Sequence, residues 1–293
     1  MKGIILAGGK ATRLRPASLA IIKQLMPVYD KPMVFYPLSV LMLAEIRDIL
    51  IISTPQDINR FKILLGNGRR LGLNISYKVQ REPNGIAEAF IIGKDFIKND
   101  SVVLILGDNI FYGANLEDLL KAAKKIIEEQ NGAYLFCYQV KDPARYGIVR
   151  LDRNKRIIEI IEKPRRPPSP YAVTGIYFYD NDVVNLAMKL KPSKRGELEI
   201  SDINNLYIKN NMARYTILGR GYAWLDMGTF QSMLDAQNFI ETLEKRQGLK
   251  IGSIEEIAYR KGFITKKGLK YFIKLYEGSE YGDYLKGIYN GKN

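Results

Sequence analysis

The chain has 293 residues, 46% of them apolar and 26% charged, with one cysteine, no histidine and a formal net charge of +14. This length and apolar share support one large α/β domain or two smaller ones, and no stretch approaches the roughly 18 uninterrupted apolar residues of a membrane span. Without histidine there are no Ser-His-Asp or Cys-His nucleophile pairs, imidazole bases or His-rich zinc sites, so chemistry falls to carboxylates, lysines, arginines and hard metal ions.

The lone Cys137 lies in an apolar run and reads as a buried thiol that has no intramolecular disulfide partner. The basic excess is spread along the chain and suits small anionic substrates as well as nucleic acid, for which there is no recognised basic motif. Strand-like text begins at the N-terminus where a signal peptide would stand, so a soluble, cytoplasmic protein is expected.

The first apolar run, residues 3–7, empties into Gly8-Gly9-Lys10-Ala11-Thr12-Arg13. A strand ending in a glycine-rich loop offers unshielded backbone N–H groups and an arginine fork to a polyphosphate. A tight turn with a surface arginine is the plainer alternative, and the spacing matches neither the P-loop nor the GxGxxG dinucleotide fingerprint. Lys23 and Gln24 follow just past the loop, in a place where a lone lysine is ordinarily solvated. Apolar runs at 49–53, 75–79, 102–106 and 134–140 then alternate with helix-like segments at 37–47, 56–65, 84–97 and 115–130. The last of these opens with Asn115 as a cap and acidic residues in its first turn.

Such alternation specifies a largely parallel sheet with helices on both faces and ligands beyond the carboxyl ends of the strands. Gln80 and Asp108 stand at such ends, and Asp226 ends a later apolar run. The two aspartates fit a magnesium ion whose shell is completed by phosphates and water. Each also fits a helix or turn cap, and nothing in the sequence brings them together.

Runs at 146–151, 157–162 and 171–179 read as a sheet extension covering a pocket. Glu162-Lys163 sets an acceptor for sugar hydroxyls beside a cation for phosphate, or else forms a surface ion pair. Tyr146-Gly147 and the segment around Val173 can wall a sugar pocket, with tyrosine presenting a polar tip on an apolar body. Thr229 is a cap for a helix over 230–246, with a second helix at 253–259. The expected organisation is a core of residues 1–228 carrying the sheet extension, and a helical elaboration of the same domain at 229–293.

Taken together, the chain resembles the sugar-phosphate nucleotidyltransferases of the short, tetrameric, thymidylyl-transferring kind, from Lys2 to about Phe263. The likeness rests on residues 29–33 (Tyr-Asp-Lys-Pro-Met), 106–113 (Leu-Gly-Asp-Asn-Ile-Phe-Tyr-Gly), 171–175, 195–200 (Arg-Gly-Glu-Leu-Glu-Ile), 221–226 (Gly-Tyr-Ala-Trp-Leu-Asp) and 255–264. It implies a Rossmann-like fold that converts dTTP and glucose 1-phosphate to dTDP-glucose and pyrophosphate with Mg2+. UTP or another sugar 1-phosphate is the alternative, because a pyrimidine pocket rejects a missing methyl by only about 1–3 kcal/mol.

The resemblance carries roles to matching positions. Gly8, Gly9, Thr12 and Arg13 fall to the triphosphate, Lys23 to the α-phosphate, and Gln24, Gln80 and Gly85 to the nucleoside. Tyr146, Gly147, Glu162, Lys163, Val173 and Arg195 fall to the sugar phosphate, and Asp108 with Asp226 to magnesium. Arg220, Glu256 and Arg260 match a second, regulatory site where dTDP-rhamnose inhibits. The chain departs from the family pattern at Ala11, where glycine is common, and at Phe230 and Ala114, where histidine is often found. Ala114 beside the regulatory site implies weakened feedback inhibition. An end at residue 293 leaves no room for the acyltransferase domain of longer relatives, so acetyl transfer is not expected.

Overall fold

The computed structural model describes residues 1–9 and 11–292; Lys10 of the glycine-rich loop lies outside them. Along the described chain the strands are β1 (Lys2–Ala7), β2 (Pro27–Val28), β3 (Lys31–Pro32), β4 (Asp48–Ser53), β5 (Asn74–Val79), β6 (Val102–Leu106) and β7 (Asn109–Gly113). They continue as β8 (Ala133–Gln139), β9 (Gly147–Leu151), β10 (Ile157–Glu162), β11 (Tyr171–Tyr179), β12 (Ala213–Leu218) and β13 (Tyr222–Asp226).

The neighbours β5, β4, β1 and β6 are mutually parallel, and the strand order reverses between β1 and β6. Such a reversal opens a crevice beyond the carboxyl ends of the two strands. Leu6 pairs with Leu106, so the glycine-rich loop and Asp108 emerge side by side. Strands buried on both faces need apolar residues at successive positions. Accordingly Ile5, Val103 and Ile105 pack into one core, while Ile4, Val102 and Leu104 pack into the other.

Beyond β6 the sheet changes sense. β11 runs antiparallel to β6 and β8, and β12 lies parallel to β8. At Ala172 the sheet forks, because this residue pairs with Tyr138 on one side and with Ile148 on the other. The hairpin of β9 and β10 hangs from that fork and forms the expected extension. β7, which has no counterpart among the sequence expectations, pairs antiparallel with β13 in a separate ladder that sets Asp226 opposite Asn109.

Helices cover both faces, as expected for this class. Phe35–Leu43, Leu116–Gln130 and the C-terminal helices Ile254–Arg260, Lys266–Leu275 and Glu280–Tyr289 share the first core. Glu88–Ile92, Val183–Lys189 and Ile200–Lys209 share the second. Thr229 caps the helix Phe230–Gln247 in a reciprocal box with Ser232. Asn115 precedes its helix but its side chain makes no capping bond. The segment expected to be helical from residue 84 starts later, at Glu88, because Asn84 and Ala87 instead bond the backbone of Leu198. Cys137 is fully buried, which pushes its thiol up to about 12. Among the described residues no helix is long and apolar enough to cross a membrane.

Candidate active site

A cavity of about 540 Å³ lies at the crevice between β1 and β6. Just past β1, the backbone at Gly8 approaches Gln80 so closely that a Cβ there would stand 2.9 Å from Oε1 of Gln80. Ala11 is held in the left-handed region (φ 41°), and the following turn, Thr12–Leu14, carries Thr12 and Arg13 into the cavity. Lys23 enters from the turn Lys23–Leu25, and its Nζ pairs with Oδ2 of Asp108.

Asp226 arrives through the ladder of β7 and β13 and lines the same cavity as Asp108. Its Oδ1 accepts from the Tyr146 hydroxyl at 2.7 Å, and its Oδ2 from Arg145 at 3.3 Å. Burial raises the Asp226 pKa above its ordinary value, and the Asp108 charge adds to the rise; the Tyr146 hydrogen bond and the Arg145 charge pull the other way. Buried Trp224 braces the ladder by donating to Oδ1 of Asn109 at 2.6 Å. Among the described residues no group of three or more His, Cys, Asp and Glu side chains could hold a metal. Two hard carboxylates at a cation-rich cavity fit Mg2+, which takes one or two carboxylates and fills its remaining positions with phosphate and water.

The other end of the cavity comes from the sheet extension. Glu162, the last residue of β10, pairs in register with Gly147, and Lys163 follows in the left-handed region (φ 43°) with its N–H bonded to the Tyr146 carbonyl at 3.0 Å. Glu162 accepts from Ser201 at 2.5 Å and lies 3.7 Å from Nζ of Lys163. Tyr146, Gly147, Glu162, Lys163 and Val173 all line the cavity. Arg195 does not line it; its guanidinium is tied to Glu197 at 2.8 Å and Glu199 at 3.3 Å, and reaches Glu162 only at 3.6 Å.

The three expected nucleoside residues gather beside the loop. Buried Gln24 donates to the Gly8 carbonyl at 3.3 Å, and its Oε1 has no protein partner. Gln80 spends its amide N–H groups on Glu88 at 2.7 Å and on the Gly85 carbonyl at 3.3 Å. Gly85 adopts φ 108°, and a Cβ there would stand 2.4 Å from the Leu198 carbonyl oxygen. Gly9 and Gln80 line an adjoining cleft of about 440 Å³, which shares Ala11 with the main cavity.

Glu256 and Arg260 meet Ala114 in a third cavity of about 450 Å³, while exposed Arg220, in the turn before β13, is not among its lining residues. Sequence reasoning missed Arg145, Tyr177, Ser201 and Asn204 as cavity residues. Tyr177, Ser201 and Arg145 had weak signals, since they sit within or beside segments already singled out; Asn204 had none.

Residues 2–243 match the family model described as Nucleotidyl transferase. The chain belongs to that family. Within it, the chain is 53% identical over 285 residues to the glucose-1-phosphate thymidylyltransferase of Neisseria meningitidis serogroup A, covering 97% of this chain and 98% of that one. It is 51% identical to the enzyme of the same name from Mycolicibacterium smegmatis, over 97% of this chain and 98% of its relative. A solved structure of a Bacillus anthracis protein described as a glucose-1-phosphate thymidylyltransferase, in complex with a sucrose, superposes with a TM-score of 0.75 at 41% identity. That match covers 82% of this chain and 94% of the other. A UDP-glucose pyrophosphorylase complexed with UDP-glucose shares the fold, with a TM-score of 0.72 at 22% identity over 83% of this chain and 98% of that one. The chain is thus a nucleotidyltransferase, and the short-type resemblance drawn from its motifs holds.

Proposed function

We propose that the chain transfers a deoxythymidylyl group from dTTP to glucose 1-phosphate, giving dTDP-glucose and pyrophosphate. The observation that carries this reading is the single cavity in which Arg13, Lys23 and Lys163 surround two aspartates. The names of the relatives supply the base and the sugar.

An oxygen of glucose 1-phosphate attacks the α-phosphorus and forms the new P–O bond as the bond to the bridging oxygen breaks; pyrophosphate leaves with that electron pair. With a second pKa near 6, a phosphate monoester is already anionic at neutral pH, so it needs positioning and charge relief more than a base. That accounts for chemistry without histidine. Gly8, Gly9 and Thr12 cradle the triphosphate, and Arg13 bridges its oxygens. Lys23 steadies charge at the α-phosphate. Lys163 holds the sugar phosphate while Glu162, Tyr146, Gly147 and Val173 seat the sugar. Arg195 acts through Glu162 from the rim. Gln24 and Gln80 face the nucleoside. Asp108 and Asp226 would hold Mg2+, which would supply neutralisation of phosphate charge.

The reading extends to a homotetramer, a cytoplasmic setting, a place in dTDP-rhamnose formation, and a single domain divided at residue 228 into core and elaboration. It also includes a second nucleotide site at Glu256 and Arg260, with Arg220 outside the cavity that those two line, where dTDP-rhamnose inhibits only weakly because Ala114 replaces a larger polar group. Pyrophosphate release across a matrix of triphosphates and sugar 1-phosphates, with and without Mg2+, tests the core claim. Highest kcat/KM with dTTP and glucose 1-phosphate, and loss of turnover without Mg2+, are expected. Preference for UTP or for another sugar overturns the assignment.

A further inference from the structure

Arg145 ends the short turn Pro143–Arg145 and lines the main cavity. One guanidinium nitrogen stands 3.3 Å from Oδ2 of Asp226, and its Cζ lies 5.4 Å from the Tyr146 ring centroid. The two oxygens of Asp226 are therefore held unequally. Oδ1 takes a 2.7 Å bond from Tyr146, whose ring is braced 5.2 Å from that of Trp224. Oδ2 meets a single nitrogen of a side chain that is 39% exposed, a contact of the weak and exchangeable kind. Gly228 lies beside this pair, and a Cβ there would make ordinary van der Waals contact at 3.5 Å from Oδ2 of Asp226 and 3.7 Å from the Arg145 nitrogen.

We propose that Arg145 is an exchangeable counter-ion, which neutralises Oδ2 of Asp226 until a divalent cation takes that oxygen and then turns onto a phosphate oxygen of the anionic substrate. The inference rests on reading Asp108 and Asp226 as the cation-holding pair. A half-buried carboxylate needs a positive partner in either state. A guanidinium cannot discharge by losing a proton, so once displaced it needs a new anion, and phosphate oxygens match its planar fork. Asp226 faces Tyr146, Arg145, Asp108 and Lys23, and Lys23 stands to Asp108 as Arg145 stands to Asp226. The cavity thus stores positive charge on its carboxylates before the reactants arrive, and cation and anion favour each other's binding.

Mn2+ binding to the protein alone, followed by electron paramagnetic resonance, reads this directly. Arg145→Gln removes the competing charge, so Mn2+ should bind about three- to fivefold more tightly, the ratio set by a partly exposed ion pair. The same variant should lose about tenfold or more in kcat/KM for glucose 1-phosphate, as when a charged phosphate contact is lost. Arg145→Lys should restore wild-type Mn2+ affinity and part of kcat/KM. Arg145→Ala serves as a second neutral variant should Arg145→Gln fail to fold. Unchanged or weaker Mn2+ binding by the folded neutral variant overturns the proposal. Asp226→Asn separates the two claims: if it binds Mn2+ like the wild type, the reading of the aspartates fails, whereas loss of Mn2+ there without tightening at Arg145 sinks the counter-ion alone.

Discussion

The parallel half of the sheet and the antiparallel half reach one cavity by different routes. In the parallel half, groups sit where a strand runs out: the loop after β1 and Asp108 after β6, with Gln80 after β5 in the adjoining cleft. On the antiparallel side, position comes from strand pairing, with Asp226 set by the separate ladder to β7 and Glu162 by its register with Gly147 across the β9–β10 hairpin. Strand ends announce themselves locally, whereas register between remote strands is a property of the assembled sheet.

The largest effects should come from taking one cation from each half. Arg13→Ala and Lys163→Ala are each expected to lower kcat by roughly 10²-fold or more, the usual consequence of removing a positioned electrostatic donor. Pyrophosphate release within threefold of wild type for either would break the picture of two halves converging on one reaction. A backbone change follows in size. Gly85→Ala forces a Cβ to within 2.4 Å of the Leu198 carbonyl at φ 108°. It should cost about 2 kcal/mol or more in urea unfolding, and an unchanged midpoint would show that this junction yields freely.

Asp226 offers a subtler probe through pH. Its folded-state pKa lies above the ordinary 3.8, chiefly through burial, so just above that pH the folded protein binds more protons than the unfolded chain. Stability contributed by the protonated carboxyl is therefore present at low pH and lost as pH rises through the raised value. Asp226→Asn should remove that slope and raise Tm of the metal-free protein at pH 7 while abolishing turnover. A lower Tm at pH 7 would mean that the ionised carboxylate stabilises the ladder. Smallest of all is Ala11→Gly, which relieves a left-handed alanine and should stabilise by about 1 kcal/mol or less. A fall in stability would show that Ala11 packs usefully at the wall shared by the cavity and its neighbouring cleft.

Much of the fold was legible because its strands are short apolar runs separated by helical text, and both faces of β1 and β6 are buried. The glycine-rich loop and Asp108 were legible for the same reason. Asp226 was visible as a residue but not as a neighbour of Asp108, since β7 is only five residues long and follows β6 almost at once. Arg145 escaped notice because a single arginine before a tyrosine carries no spacing signal. Arg195 and Arg220 show the reverse limit: a matching motif did not bring either side chain into the cavity expected for it.

The bond from Trp224 to Asn109 spans 115 residues of chain and lies outside the main sheet. Long closures of this kind form late relative to local contacts. A growing polypeptide therefore has its glycine-rich loop and the parallel strands β1, β4, β5 and β6 long before Asp226 exists. Turnover waits on synthesis of the last quarter, which brings Asp226 together with the C-terminal helices that complete the first core.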